Sequence, residues 1–146
     1  MNLIKFFNVA VAATFLSLGG FAAHAEKAGG NMVFLVQPEP PTMAGYVSTS
    51  GPIGLLAPKI YEGLFDYAND GTMIPVLAES FDMSADGKTV TFKLRKGVKW
   101  HDGEPFTSED VQFTIMEVLK KVHPRGPNSF KEVSSIDTPD DHTAIF

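Results

Sequence analysis

Between Ala78 and Val111 the hydrophobic positions change period, and the change predicts a strand pair followed by a helix. Thr89–Arg95 alternates strictly, with Val90, Phe92 and Leu94 on one face and Thr91, Lys93 and Arg95 on the other, as a half-buried antiparallel strand does. Upstream, Phe81 and Met83 alternate with Ser80 and Asp82. Between the two runs lies Ser84-Ala85-Asp86-Gly87-Lys88, whose Asp-Gly pair suits a tight hairpin turn because glycine accepts positive φ. The hairpin is expected to bury Phe81, Met83, Val90, Phe92 and Leu94 together on one face.

The period then lengthens. Val111, Ile115, Val118 and Leu119 recur at helical spacing, and Thr107 precedes them as an N-cap whose hydroxyl can accept a first-turn N–H. Glu109 and Asp110 suit the positive end of the helix dipole, Lys120 and Lys121 its negative end. Phe106 and Val111 stand at the two positions of a hydrophobic staple. The spacing predicts a helix from Ser108 to about Lys121.

Elsewhere the pattern is less regular. Met32-Val33-Phe34-Leu35-Val36 is a continuous apolar run between Gly29-Gly30 and Pro38, as expected of a buried strand. Pro38-Glu39-Pro40-Pro41 must be irregular, because proline lacks a ladder donor and restricts its predecessor. Leu55, Leu56, Ile60, Leu64 and Phe65 fall at helical offsets, yet Pro58 would break a helix interior, so the helix begins near Ala57 or kinks there. Asn69-Asp70-Gly71 predicts a turn, Ile74–Leu77 a short strand or extended connector, and His123-Pro124-Arg125-Gly126-Pro127-Asn128 a loop. Thr143-Ala144-Ile145-Phe146 alternates like a strand with no turn signal after it, which reads as the N-terminal part of something longer with an unpaired sheet edge.

Composition narrows the function. Lys5 is the only charge before Glu26; Phe6–Phe21 is largely apolar, and Ala23-His24-Ala25 has the small-x-small form of a signal-peptidase site. Residues 1–25 therefore read as a signal peptide cleaved after Ala25, and its apolar run is too short to be preferred as a membrane span, which needs ~20 residues. Cleavage takes the net charge from −5 to −6, which disfavours a nucleic-acid partner. Residues 26–146 suffice for one small domain. There is no cysteine, which excludes disulfides, thiol catalysis, cysteine metal sites and the lipid anchor of bacterial lipoproteins. A soluble periplasmic product is expected.

Candidate chemistry is thin. His101, Asp102 and Glu104 could begin a metal or hydrolytic site, but Asp102-Gly103 reads first as a turn, and no second ligand stands at a spacing such as HExxH. His123 and His142 fall in a loop and near a turn. Trp100 could stack on a ligand, but it ends an alternating run with Val98 and is expected to be buried at the base of the hairpin. Lys93, Arg95, Lys96 and Lys99 read as a solvated strand face. Phosphate-binding, dinucleotide and nucleophile-elbow motifs are absent, so neither a cofactor nor an enzyme activity is expected.

The phrase Leu94–Val111, LRKGVKWHDGEPFTSEDV, resembles the signature region of bacterial extracellular solute-binding proteins of family 5, which serve peptide, dipeptide and nickel ABC importers. The resemblance continues through Ile60-Tyr61-Glu62-Gly63-Leu64-Phe65, Pro75-Val76-Leu77-Ala78-Glu79-Ser80, Ser135-Ile136-Asp137 and His142–Phe146. It implies an α/β chain forming part of one lobe of a two-lobed type II periplasmic-binding-protein fold. Such a lobe would close with its partner over a small peptide or similar solute and deliver it to an ABC permease in the inner membrane, as a monomer. Members of the family are much longer, so residues 26–146 are expected to form the N-terminal portion of a lobe. In open α/β sheets solutes bind beyond the carboxyl ends of strands. That points to Gln37–Gly51, with Met43 and Tyr46 lining a small apolar pocket and Thr49, Ser50 and Gly51 before a helix whose free N–H groups suit an anion. The resemblance adds the loop His123–Phe130 as a second candidate. Rival readings are a secreted metal hydrolase built on His101, Asp102 and Glu104, and a stand-alone periplasmic domain with no transport role.

Overall fold

Two tight turns organise the chain. In the computed structural model, which describes residues 29–146, the Asp70-Gly71 turn joins β1 (Phe65–Tyr67) to β2 (Met73–Pro75) in a two-stranded antiparallel sheet. The Asp86-Gly87 turn joins β3 (Ala78–Met83) to β4 (Val90–Leu94), with Phe81 opposite Phe92 and Met83 opposite Val90. Gly87 takes φ 68°, the left-handed value the turn requires. β5 (Asp137–Asp140) and β6 (Thr143–Ile145) complete a four-stranded antiparallel sheet of order β3-β4-β6-β5. The last strand thus lies inside the sheet, paired on both sides, and the edges are β3 and β5; the expected unpaired edge at Phe146 is corrected. The expected signal peptide and its cleavage after Ala25 lie outside the described residues.

The predicted helix is present and its start is built as expected. Asp110 accepts the Thr107 backbone N–H at 2.8 Å, closing a capping box, and the staple pair Phe106 and Val111 are both buried. Its interior differs. α2 (Ser108–Phe113) passes into a π-helical stretch, Thr114–Leu119, before α3 (Lys120–Val122). A π turn closes i→i+5 and so rotates the later apolar positions. Val111, Ile115 and Met116 therefore pack on the core, rather than Val118 and Leu119.

The core consists of Ala78, Leu94, Phe106, Val111, Ile136 and Ala144, where the helix lies across the Leu94 end of the sheet. Burying a leucine there contributes about 1.5–3 kcal/mol. The hairpin's apolar face is not uniformly buried, as the alternation alone suggested: Leu94 is 2% exposed, Phe81 40% and Met83 61%. No described helix covers the turn end of β3, an edge strand, and Phe81 finds only an aromatic cluster. Phe65 meets it edge-on at 5.5 Å, and Phe92 packs against Phe65, Phe81 and Phe146.

Three further expectations change. Met32–Val36 forms no strand and is largely exposed, because no described strand offers it a ladder partner. The helix around Pro58 neither begins at Ala57 nor kinks: α1 (Gly51–Leu56) starts with Pro52, whose fixed φ suits a first turn, and gives way to a 3₁₀ turn at Ala57–Lys59, where Pro58 cannot continue it. Phe65, expected in that helix, is in β1 instead. Trp100 is exposed, with only an edge-on contact to Phe106 at 5.8 Å, so its expected burial at the base of the hairpin is not met. α4 (Gly126–Ser129) is a single turn within the predicted loop.

Candidate functional site

The loop after α3 is folded back by glycine. A Cβ at Gly126 would stand 1.7 Å from the Leu119 carbonyl oxygen, so only glycine permits the approach that lets its N–H reach the His123 carbonyl at 2.9 Å. The turn sets His123 and Arg125 beside the segment that opens α1. Arg125 donates its backbone N–H to His123 Nδ1 at 3.2 Å, so the neutral imidazole carries its proton on Nε2. On the facing side Ser48 Oγ accepts the Ser50 N–H at 3.2 Å. Between the two loops lies a cavity of about 280 Å³, lined by Ser48, Thr49, Ser50, Ile53, His123 and Arg125 together with small residues near Gly54 and Ala57. Ile53, 2% exposed, is its anchored apolar wall.

The structure gathers part of the sequence-derived candidates. Thr49 and Ser50 line the cavity, as does the start of the His123–Phe130 loop; Met43, Tyr46 and Gly51 do not. Met43 and Tyr46 are instead exposed, Tyr46 within a 3₁₀ turn at Gly45–Val47. A solute site of the expected kind requires a strand at Met32–Val36 and a helix terminus at Gly51. The strand is missing, and α1 has only six residues with Pro52 removing one of its free amides. Side-chain hydroxyls and the two basic side chains carry the site. Ser48 and Ile53 were not singled out by the sequence, whereas the clustered prolines and glycines of His123–Asn128 did flag its second wall.

A second, larger groove of about 700 Å³ lies along β4, β6 and the turn before it, lined by both signs of charge, including Glu79, Lys93, Lys96, Asp140 and Asp141. The backbone N–H of His142 and then the Thr143 hydroxyl hold the Asp140 carboxyl below its usual range against the opposing cost of desolvation, with Lys93 a lesser help. His142 Nδ1 is buried without a hydrogen-bond partner among the described residues. The His101–Glu104 segment is the turn its Asp-Gly pair implied: Trp100 N–H donates to the Glu104 carbonyl and Asp102 accepts the Glu104 N–H at 3.1 Å, with all three polar side chains in solvent. No group of three His, Asp or Glu among the described residues is placed to hold a metal ion. None of their helices is long and apolar enough to cross a membrane.

Residues 72–146 match the model of bacterial extracellular solute-binding proteins, family 5 middle region. The chain belongs to this family. It is 33% identical to di/tripeptide-binding protein 1 of Pseudomonas aeruginosa over 86% of this chain and 27% of that protein. It is 54% identical to the nickel-binding periplasmic protein of Escherichia coli over 41% of this chain and 12% of that one. Among solved structures, the ABC transporter substrate-binding protein CtaP of Listeria monocytogenes superposes with a TM-score of 0.59 at 34% identity, over 69% of this chain and 21% of that one. The family-5 chain thus spans about a quarter or less of the length of these proteins. Its α/β fold is part of one lobe of the two-lobed periplasmic binding proteins.

Proposed function

We propose that this family-5 chain acts as part of the periplasmic substrate-binding component of an ABC importer for small peptides, and that the cavity between the Ser48–Ile53 segment and the His123–Arg125 loop receives the solute. The convergence of these two distant loops on one cavity carries the reading. A cavity with an apolar wall and a few convergent polar groups is the usual form of a small-molecule site. The peptide assignment draws on the Pseudomonas aeruginosa relative, which aligns with most of the chain rather than the shorter stretch shared with the nickel-binding protein. In this reading residues 1–25 direct export and are removed after Ala25, the product is a soluble monomer without a lipid anchor, and it delivers its solute to an inner-membrane permease by hinge closure of two lobes. Its role is binding, with neither catalysis nor nucleic acid involved.

Calorimetric titration of the complete protein carrying this chain with a mixture of di- and tripeptides tests the proposal. Saturable binding is expected with a Kd on the order of micromolar. Thr49→Trp, which fills the cavity from an exposed position, is expected to abolish it while leaving the melting temperature unchanged. Undiminished binding by Thr49→Trp would place the solute elsewhere.

A further inference from the structure

We propose that the larger groove beside β6 is a second binding site, which takes a small zwitterion: a short molecule with a carboxylate at one end and an ammonium group at the other. Three side chains lay it out in a row across three strands. Thr143 in β6 stands directly opposite Lys93 in β4 and, on its other side, directly opposite Asp140 in β5. Neighbouring strands lie ~4.8 Å apart, so the lysine and the aspartate are rooted about 10 Å from each other with the threonine between them. Thr143, 6% exposed, fixes both neighbours. Its Oγ1 accepts a hydrogen bond from Lys93 Nζ at 3.1 Å, and its own proton goes to the Asp140 carboxylate, which the His142 N–H also holds. Both charges are oriented and neither is neutralised. The ion pairs of the described residues are Lys121–Glu117 and Lys131–Glu132, so Lys93 and Asp140 are in none, nor are Glu79, Lys96 and Asp141, which line the same groove.

The pattern of charge decides the ligand. A metal ion does not fit, since no group of three His, Asp or Glu among the described residues is placed to hold one. A simple anion would meet Glu79, Asp140 and Asp141 as well as the two lysines, and a simple cation would meet the lysines as well as the carboxylates. A molecule with both charges finds an opposite at each end. Its carboxylate accepts from Lys93 and Lys96, for the Lys93 ammonium has used one of its three donors on Thr143, and its ammonium group donates to Asp140 and Asp141. The volume of about 700 Å³ falls within the ~300–1,000 Å³ of small-molecule sites. This groove shares no lining residue with the cavity at Ser48–Ile53, so the proposal stands whatever that cavity holds.

The test is calorimetric titration of the complete protein carrying this chain, with Thr49→Trp introduced to fill the other cavity, against two probes, 4-aminobutyrate and 6-aminohexanoate. At least one is expected to bind saturably with a Kd of about 1 mM or below. The N-acetyl derivative and the amide of that probe each lack one charge and are expected to bind about tenfold or more weakly. Lys93→Gln, at an exposed position, and Asp140→Asn, which keeps an acceptor for the His142 N–H, are each expected to weaken the probe about tenfold or more, with a thermal melt verifying the fold. Should Asp140→Asn fail to fold, Lys93→Gln and the two derivatives decide the matter. Absence of saturable binding by both probes overturns the proposal, as does binding unchanged in folded Lys93→Gln. An N-acetyl derivative that binds as tightly as its parent overturns the zwitterion in favour of a plain anion.

Discussion

The sheet and helix between Ala78 and Ile145 follow near-neighbour signals that agree with one another, whereas the segment from Gly29 to Leu56 carries few such signals and little of it is buried. In the first region an Asp-Gly turn, an alternating strand and a capped helix each form from residues a few positions apart, and their apolar faces meet at Leu94, Phe106 and Val111. In the second, the most hydrophobic run of the described residues, Met32–Val36, lies exposed, and Ile53 is the one buried hydrophobic side chain. Apolar composition without a partner does not make a strand. The candidate site joins the two regions, with one wall from each.

A buried charge should separate the regions most sharply. Leu94→Asp is expected to cost roughly 4 kcal/mol or more in urea denaturation, since it leaves a carboxylate under the helix without a partner. Val33→Asp, at a position 96% exposed, is expected to change stability by less than about 0.5 kcal/mol in this chain. Comparable losses would mean that the N-terminal segment packs as tightly as the sheet. Met83→Asp sharpens the contrast within the hairpin itself: although Met83 shares the face of Leu94 by alternation, its cost should resemble that of Val33→Asp.

Next comes the glycine that positions the second wall of the cavity. Gly126→Ala is expected to destabilise by about 1–3 kcal/mol, because the new methyl group meets the Leu119 carbonyl and the loop must shift. The same shift carries His123 and Arg125 away from Ser50, so solute affinity in the complete protein should fall with it. A stability loss with affinity intact would separate the loop from the site.

What the sequence made legible follows the same division. The turn at Asp86-Gly87, the hairpin it joins, the Thr107 cap and the Phe106–Val111 staple all rest on signals close together in the sequence, and each is found. The exposure of Phe81 and Met83 was not legible, because alternation states which face a side chain takes and not whether another element covers it. The π-helical stretch at Thr114–Leu119 likewise left no mark in the apolar spacing. For the site, Thr49 and Ser50 were reached from a strand and a helix terminus that the structure does not supply in that form. They line one cavity with Arg125 from a distant part of the chain, and a single sequence carries no local trace of that.

Loss of the helix cap is the next smaller effect. Thr107→Ala removes the hydroxyl partner of the first turn while Phe106 and Val111 still staple the entry, so a cost of about 1 kcal/mol is expected in urea denaturation. An effect near zero would show that the staple alone fixes the start of α2.

The smallest expected effect lies in the hairpin turn and is read through pH. Asp86 Oδ1 accepts the Ser84 hydroxyl at 2.7 Å and the Lys88 N–H at 3.1 Å, and these bonds lower its carboxyl from the usual 3.8 despite full exposure. A depressed carboxylate contributes stability that is fully present above the unfolded-state value and is lost as pH falls through the folded one. Asp86→Asn keeps an acceptor of the same shape and removes the charge, so it should melt slightly below the wild-type chain at pH 7. As the pH falls below 3.8 the wild-type carboxylate takes up its proton, its charge-assisted bonds weaken, and the two melting temperatures should converge. Asp70 and Asp140, lowered by their own turn hydrogen bonds, titrate in both chains and cancel from the difference. A gap that stays constant into acid would mean that the charge on Asp86 contributes nothing and that Gly87 alone sets the turn.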